Sequence, residues 1–138
     1  MLANSINAQL YPKWLAHVET PEAKKAFIYL VGAATTLKEL SCHVQLKGVV
    51  RDFRFITVED EQPFSFIVNR KWLLFYFRAP SVRSGSYSHA ELVKLFPESR
   101  ENKRKEWTVR LRSAEDVRIL LRFLELQEPN QNFAARDA

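Results

Sequence analysis

The sequence holds three glycines, one cysteine and no apolar run long enough to cross a bilayer, and each scarcity closes off a class of protein. With three glycines in 138 residues, a glycine-rich loop cradling phosphate on bare backbone is not expected, and no nucleotide-binding fingerprint is present. Cys42 stands alone, which excludes an internal disulfide and fits a reducing compartment, so a cytoplasmic location is the expectation. The longest near-continuous apolar run, Ala26 to Ala34, is about half a membrane span, so no membrane association is expected. The opening residues MLANSINAQLYPKW lack a basic start followed by an apolar core, and no signal peptide is read there. Internal repeats and low-complexity tracts are also missing.

What is present is an ordinary globular balance, 46% hydrophobic and 27% charged. The length suits one domain with a sizeable core; residues 1–128 are read as that domain and 129–138 as a disordered polar tail. Charge is lopsided. Residues 1–69 balance seven basic against seven acidic side chains, whereas residues 70–138 set fourteen against nine and carry the whole excess of +5. Most of those fourteen are arginine, which points to an anionic partner.

The central segment, Phe64 to Arg78, reads as two strands joined by the polar turn Asn69-Arg70-Lys71. Trp72, Leu74 and Tyr76 alternate with Leu73, Phe75 and Phe77, so both faces of the second strand are expected to be covered. Upstream, Ser5 to Glu19 has helical spacing, broken or begun at Pro12. Thr20-Pro21-Glu22 starts a second helix whose pattern carries to about Cys42, whole or in two pieces. Gly48 ends it, and Val49 to Val58 reads as a strand. Ala79 to Tyr87 is a loop by composition, and Ser88 caps a short helix with Leu92, Leu95 and Phe96 on its apolar side, closed by Pro97. Glu98 to Lys105 reads as a solvated loop. Glu106 to Arg112 alternates, with Trp107, Val109 and Leu111 inward and Thr108, Arg110 and Arg112 outward. Ser113 caps the last helix, with one stripe of Val117, Leu120, Leu121 and Leu124 and a second of Ile119, Phe123 and Leu126. The order α-α-β-β-β-α-β-α predicts an α+β fold: a three-stranded antiparallel meander, then helix-strand-helix, with helices on one face of a mainly antiparallel sheet.

The ending EWTVRLRSAEDVRILLRFL, a W-x-V-x-L strand followed by a capped helix, resembles the small bacterial YjbR/MmcQ-like domains over roughly Val49 to Leu126. The resemblance implies an α+β domain that binds DNA, and it brings no catalytic motif. The long helical region before the strands departs from that compact pattern.

Sites of chemistry are few. A metal-dependent nuclease of the restriction type needs an acid on one strand and an acid-x-Lys pair on the next. Asp52 can supply the first, but the next position reads Asn69-Arg70-Lys71, and Glu101-Asn102-Lys103 falls in the solvated loop. His17, His43 and His89 are scattered, Cys42 and His43 are adjacent and cannot chelate one ion from a helix, and no Ser-His-Asp set is present. No catalytic residue, metal site or cofactor is therefore assigned, and Cys42 is read as a core residue. The remaining signal is basic: Arg70 and Lys71 at the hairpin tip, Arg100, Lys103, Arg104 and Lys105 in the loop, and Arg110 and Arg112 on the strand. If they converge, they form a surface for DNA or RNA, with Tyr87 and Trp72 near enough to stack on a base. Arg118 and Arg122 on the last helix have Glu115 and Glu125 as partners. The leading reading is a non-enzymatic nucleic-acid-binding domain. The alternative is a protein-interaction module (an inhibitor, immunity or assembly partner) that binds or self-associates through the two-striped last helix, and a metal-dependent nuclease is kept as an outsider.

Overall fold

Six strands pair into one antiparallel sheet of order β1-β2-β3-β4-β6-β5. The structure, a computed structural model, describes residues 12–36, 39–44 and 52–124. The strands are Leu40–Val44 (β1), Asp52–Thr57 (β2), Phe64–Val68 (β3), Leu73–Phe77 (β4), Arg100–Glu101 (β5) and Trp107–Leu111 (β6). Residues 12–17 form helix α1, followed by Pro21–Ala34 (α2), Ala79–Arg83 (α3), His89–Leu95 (α4) and Ala114–Leu124 (α5).

The register sorts the side chains onto two unlike faces. Cys42, Phe55, Phe64, Phe77 and Trp107 lie in one row across the sheet, with Val44, Phe53, Phe66, Phe75 and Val109 in the next. All ten are buried, and α2 and α5 cover them. Phe27 of α2 meets Phe53 and Phe66 edge-on at 5.6 and 6.4 Å, while Phe53 and Phe66 stack at 4.8 Å. Phe123 of α5 reaches Phe77 at 6.1 Å. The expected α+β architecture, with helices on one side of an antiparallel sheet, is what the chain adopts.

Local signals place the helix ends. Thr20 Oγ1 accepts from the Ala23 amide with Pro21 in the first turn, and Ser88 Oγ accepts from the Glu91 amide. Ser113 Oγ accepts from the Asp116 amide, and Val117, Leu120, Leu121 and Leu124 are buried as one stripe. The second stripe also turns inward: Ile119 and Phe123 are half-buried against the same core, and Phe123 stacks on Tyr87 at 5.8 Å. Phe123→Asp should therefore destabilise the domain itself by about 3 kcal/mol, read as a lower denaturant midpoint, since it removes core contact and half-buries a charge.

Several expectations are corrected. The second helix stops at Ala34, because the Thr35 and Thr36 hydroxyls bond back to the Gly32 and Ala33 carbonyls and end the turn. Leu40 to Val44 is then an alternating strand, with Cys42 fully buried in it; burial pushes its thiol up to about 12, which suits an inert core residue. Ala79 to Arg83 is a short helix, because Pro80 sits in its first turn and the Ser81 hydroxyl bonds to the Arg78 carbonyl. Residues 100 and 101 pair with β6 as a strand, and Ser99 beside them is buried. Leu95 is exposed rather than part of the core. The largest correction concerns β4: only its Leu73, Phe75, Phe77 side is under helices, and Leu74 and Tyr76 are half-exposed on a face that no helix among the described residues covers. The polar neighbours Ser65 and Thr108 across the register make that face different from the core side. The expected helix start before Pro12, the strand start before Asp52, Leu126 and the tail all lie outside the described residues.

Candidate nucleic-acid interface

This face, helix-free among the described residues, can be read row by row from the pairing. One row runs His43, Arg54, Ser65, Tyr76, Thr108 and Arg100; the next holds Asp52, Ile67, Leu74 and Arg110. Continuing β4 and β6 by one residue toward the hairpin tip brings Trp72 opposite Arg112. On the far side, Arg78 falls opposite Glu106.

At the Trp72 end the sequence-predicted residues do converge. The guanidinium groups of Arg110 and Arg112 lie over the Trp72 ring at 4.7 and 5.6 Å from its centre. Arg112 also donates to Glu98, and this hydrogen bond, with the charges of Arg112, Arg110 and Arg100, holds the Glu98 carboxyl below the usual carboxylate range. Arg100, Arg110 and Arg112 thus share one neighbourhood around one acid. Arg70 and Lys71 sit at the β3–β4 turn next to Trp72; Arg70 is exposed and pairs loosely with Glu19 at 3.5 Å. The turn is pinned by the Glu19 amide donating to the Arg70 carbonyl at 2.6 Å.

Lys103, Arg104 and Lys105 are brought elsewhere. They form the β5–β6 turn beyond the opposite end of β6, where Trp107 already lies about 17 Å along the strand from Arg112. Asn102 organises this turn: its Oδ1 accepts from the Arg104 and Glu106 amides at 2.9 Å each. Lys105 takes a positive φ of 65° there and pairs distantly with Glu101 at 4.0 Å. The basic residues therefore flank the face at two ends instead of forming one patch. Tyr87 lies on the other side of the sheet, half-buried against Phe64, Phe77 and Phe123, and so takes no part in this face.

Between the two ends lies a polar centre that the sequence reading passed over. Arg54 Nε donates to Asp52 Oδ2 at 2.8 Å and its Nη1 to Gln62 at 2.7 Å. Arg78 Nη1 approaches the Ser65 hydroxyl at 3.4 Å, and its Nε lies 3.8 Å from Glu106. Asp52 and Glu106 are buried, and Tyr76 between the two pairs has its phenol raised, first by burial and then by the negative charge of Glu106 and Asp52. The clue was available in DFRFIT and PFSFIV, where Arg54 and Ser65 alternate with phenylalanines and so must share the face opposite the core.

The nuclease residues do not assemble. Four strand spacings, about 19 Å, separate Asp52 from Glu101. They also face opposite ways, since Glu101 accepts from the Trp107 indole while Asp52 holds Arg54. Among the described residues no group of His, Cys, Asp and Glu is placed to hold a metal ion, and no helix is long and apolar enough to cross a membrane. No family model matches the chain, and neither the curated proteins nor the solved structures give a match.

Proposed function

We propose that this is a nucleic-acid-binding domain whose contact surface is the helix-free face of the sheet and its basic ends. The observation that carries the reading is the Trp72 end, where pairing of β4 and β6 sets Arg110 and Arg112 over a half-buried indole, with Arg100 near the same acid, Glu98. Arginine offers phosphate a planar fork, and a guanidinium layered on an aromatic ring extends the surface on which a base can stack. Phosphate would meet Arg100, Arg110 and Arg112 with Arg70 and Lys71 at one end, and Lys103, Arg104 and Lys105 at the other.

The test is fluorescence anisotropy on labelled DNA and RNA across a salt series. Neutralising about five phosphates predicts a slope of log affinity against log salt near −4 to −5. A flat salt response, or no binding at low salt, would remove the proposal. Glu98 gives a second check with the opposite sign. Its carboxyl is held charged by Arg112, so at neutral pH it competes with phosphate for that arginine. Glu98→Gln should tighten binding by about three- to tenfold at low salt, as expected when one repelling charge is removed from a basic surface. Because the folded pKa is depressed, the pairing is complete above the ordinary carboxylate range and is lost only as pH falls through that lowered value. The gain from Glu98→Gln should accordingly be unchanged between pH 6 and 8.

A further inference from the structure

We propose that the nucleic acid taken by this surface is single-stranded, with bases on the centre of the helix-free face and phosphates at its basic ends. The inference rests on the nucleic-acid reading above and names its ligand class. Charge divides the face in the way such a ligand requires. At the centre each arginine has its own acid, Arg54 with Asp52 at 2.8 Å and Arg78 with Glu106 at 3.8 Å, so that region is neutral. A neutral patch gives phosphate no advantage. It does offer the half-buried donors of Arg54, Arg78 and the Tyr76 hydroxyl, which suit the acceptors of an unpaired base edge. At the Trp72 end, by contrast, Arg100, Arg110 and Arg112 gather around Glu98, with the Asp116 carboxylate taken by the Arg112 amide, and the balance among the described residues is positive.

Shape points the same way. A duplex keeps its base faces stacked inside and shows proteins only phosphates and groove edges, which are read by an inserted helix or ribbon. Among the described residues no helix stands on this face; it is a sheet surface of half-buried Ile67, Leu74, Tyr76 and Trp72. Trp72 and Tyr76 are four residues apart on one side of β4 continued by one residue, so their Cα atoms are about 13 Å apart, which leaves room for separate bases. Splayed bases of a single strand can use such platforms; paired bases cannot.

The experiment uses the full chain and one labelled mixed-sequence oligonucleotide as single-stranded DNA, as single-stranded RNA, and annealed to its complement as duplex. Either single strand should bind at least tenfold more tightly than the duplex, and a preference between DNA and RNA would report contact with the 2′-hydroxyl. Trp72→Leu and Tyr76→Leu should each weaken single-strand binding about tenfold while leaving the salt slope unchanged, whereas Arg110→Ala should lower the slope by about one. Quenching of tryptophan fluorescence on adding the single strand to the unaltered chain gives a readout independent of variant stability, and Trp72→Leu should remove most of it. Duplex binding as tight as single-strand binding, with both leucine variants neutral, would overturn the inference and leave the nucleic-acid reading in place. No binding by any form at low salt would overturn both.

Discussion

Phe66→Ala should cost the fold about 3–5 kcal/mol, which for a domain of this size lowers the melting temperature by about 10–15 °C. Phe66 is fully buried at the middle of the sheet. It stacks on Phe53 at 4.8 Å, meets Phe27 of α2 at 6.4 Å and lies 6.0 Å from Phe55. Truncation would empty the place where two strands and the covering helix meet. Interlocked rings prefer these edge-on and offset arrangements, so the loss exceeds simple area burial. The measurement is a urea titration followed by far-ultraviolet circular dichroism, with the midpoint falling and the slope kept. A shift of under 1 kcal/mol would mean that the aromatic layer is not what holds the helices to the sheet.

The second large effect concerns binding. Arg110→Ala combined with Arg112→Ala should weaken nucleic-acid affinity about a hundredfold at low salt and reduce the salt slope by about two. Each charge-assisted contact to phosphate is worth roughly 1.5–3 kcal/mol, and the pair also covers the Trp72 ring. Removing Arg112 additionally leaves Glu98 unneutralised beside the ligand. Both side chains are exposed, so stability should change by less than about 1 kcal/mol, which separates a binding defect from an unfolded one. By contrast, Lys103→Ala with Arg104→Ala at the distant turn should reduce the slope with a smaller loss of affinity. Unchanged binding in the Arg110 and Arg112 double variant would move the interface away from Trp72.

How far the sequence foretold this depends on the range of the interaction behind each feature. Thr20, Ser88 and Ser113 announced three helices, because a cap bonds to an amide three residues on and needs no tertiary partner. Strict alternation in WTVRLR announced β6 and its outward arginines for the same local reason. The strand Leu40–Val44 was hidden, because LSCHV follows a helix without a glycine or proline break and its apolar spacing also fits a helix over so few residues. The open face was misjudged because Leu74 and Tyr76 look like core residues when β4 is read alone. Only the register, which sets Ser65 and Thr108 beside Tyr76, shows that they border a polar surface. The basic set was half legible: Arg110 and Arg112 were placed on one face by alternation. Their approach to Trp72, and their distance from Lys103 to Lys105, follow from strand pairing that composition does not encode.

The order β4-β6-β5 at the end of the sheet bears on how the chain assembles. Strands β2, β3 and β4 join through short turns, so their contacts close cheaply and early. Phe77 meets Trp107 only after residues 78–106, with two helices and β5 among them, have been looped out. That closure is slow in entropic terms and depends on a preformed edge to dock against. Trp72 is supplied by the early hairpin and Arg110 and Arg112 by the late strand. A nascent or partly melted molecule would therefore keep most of its aromatic interior and still lack the surface proposed for nucleic acid, and on that proposal affinity would arise only at the final step of folding.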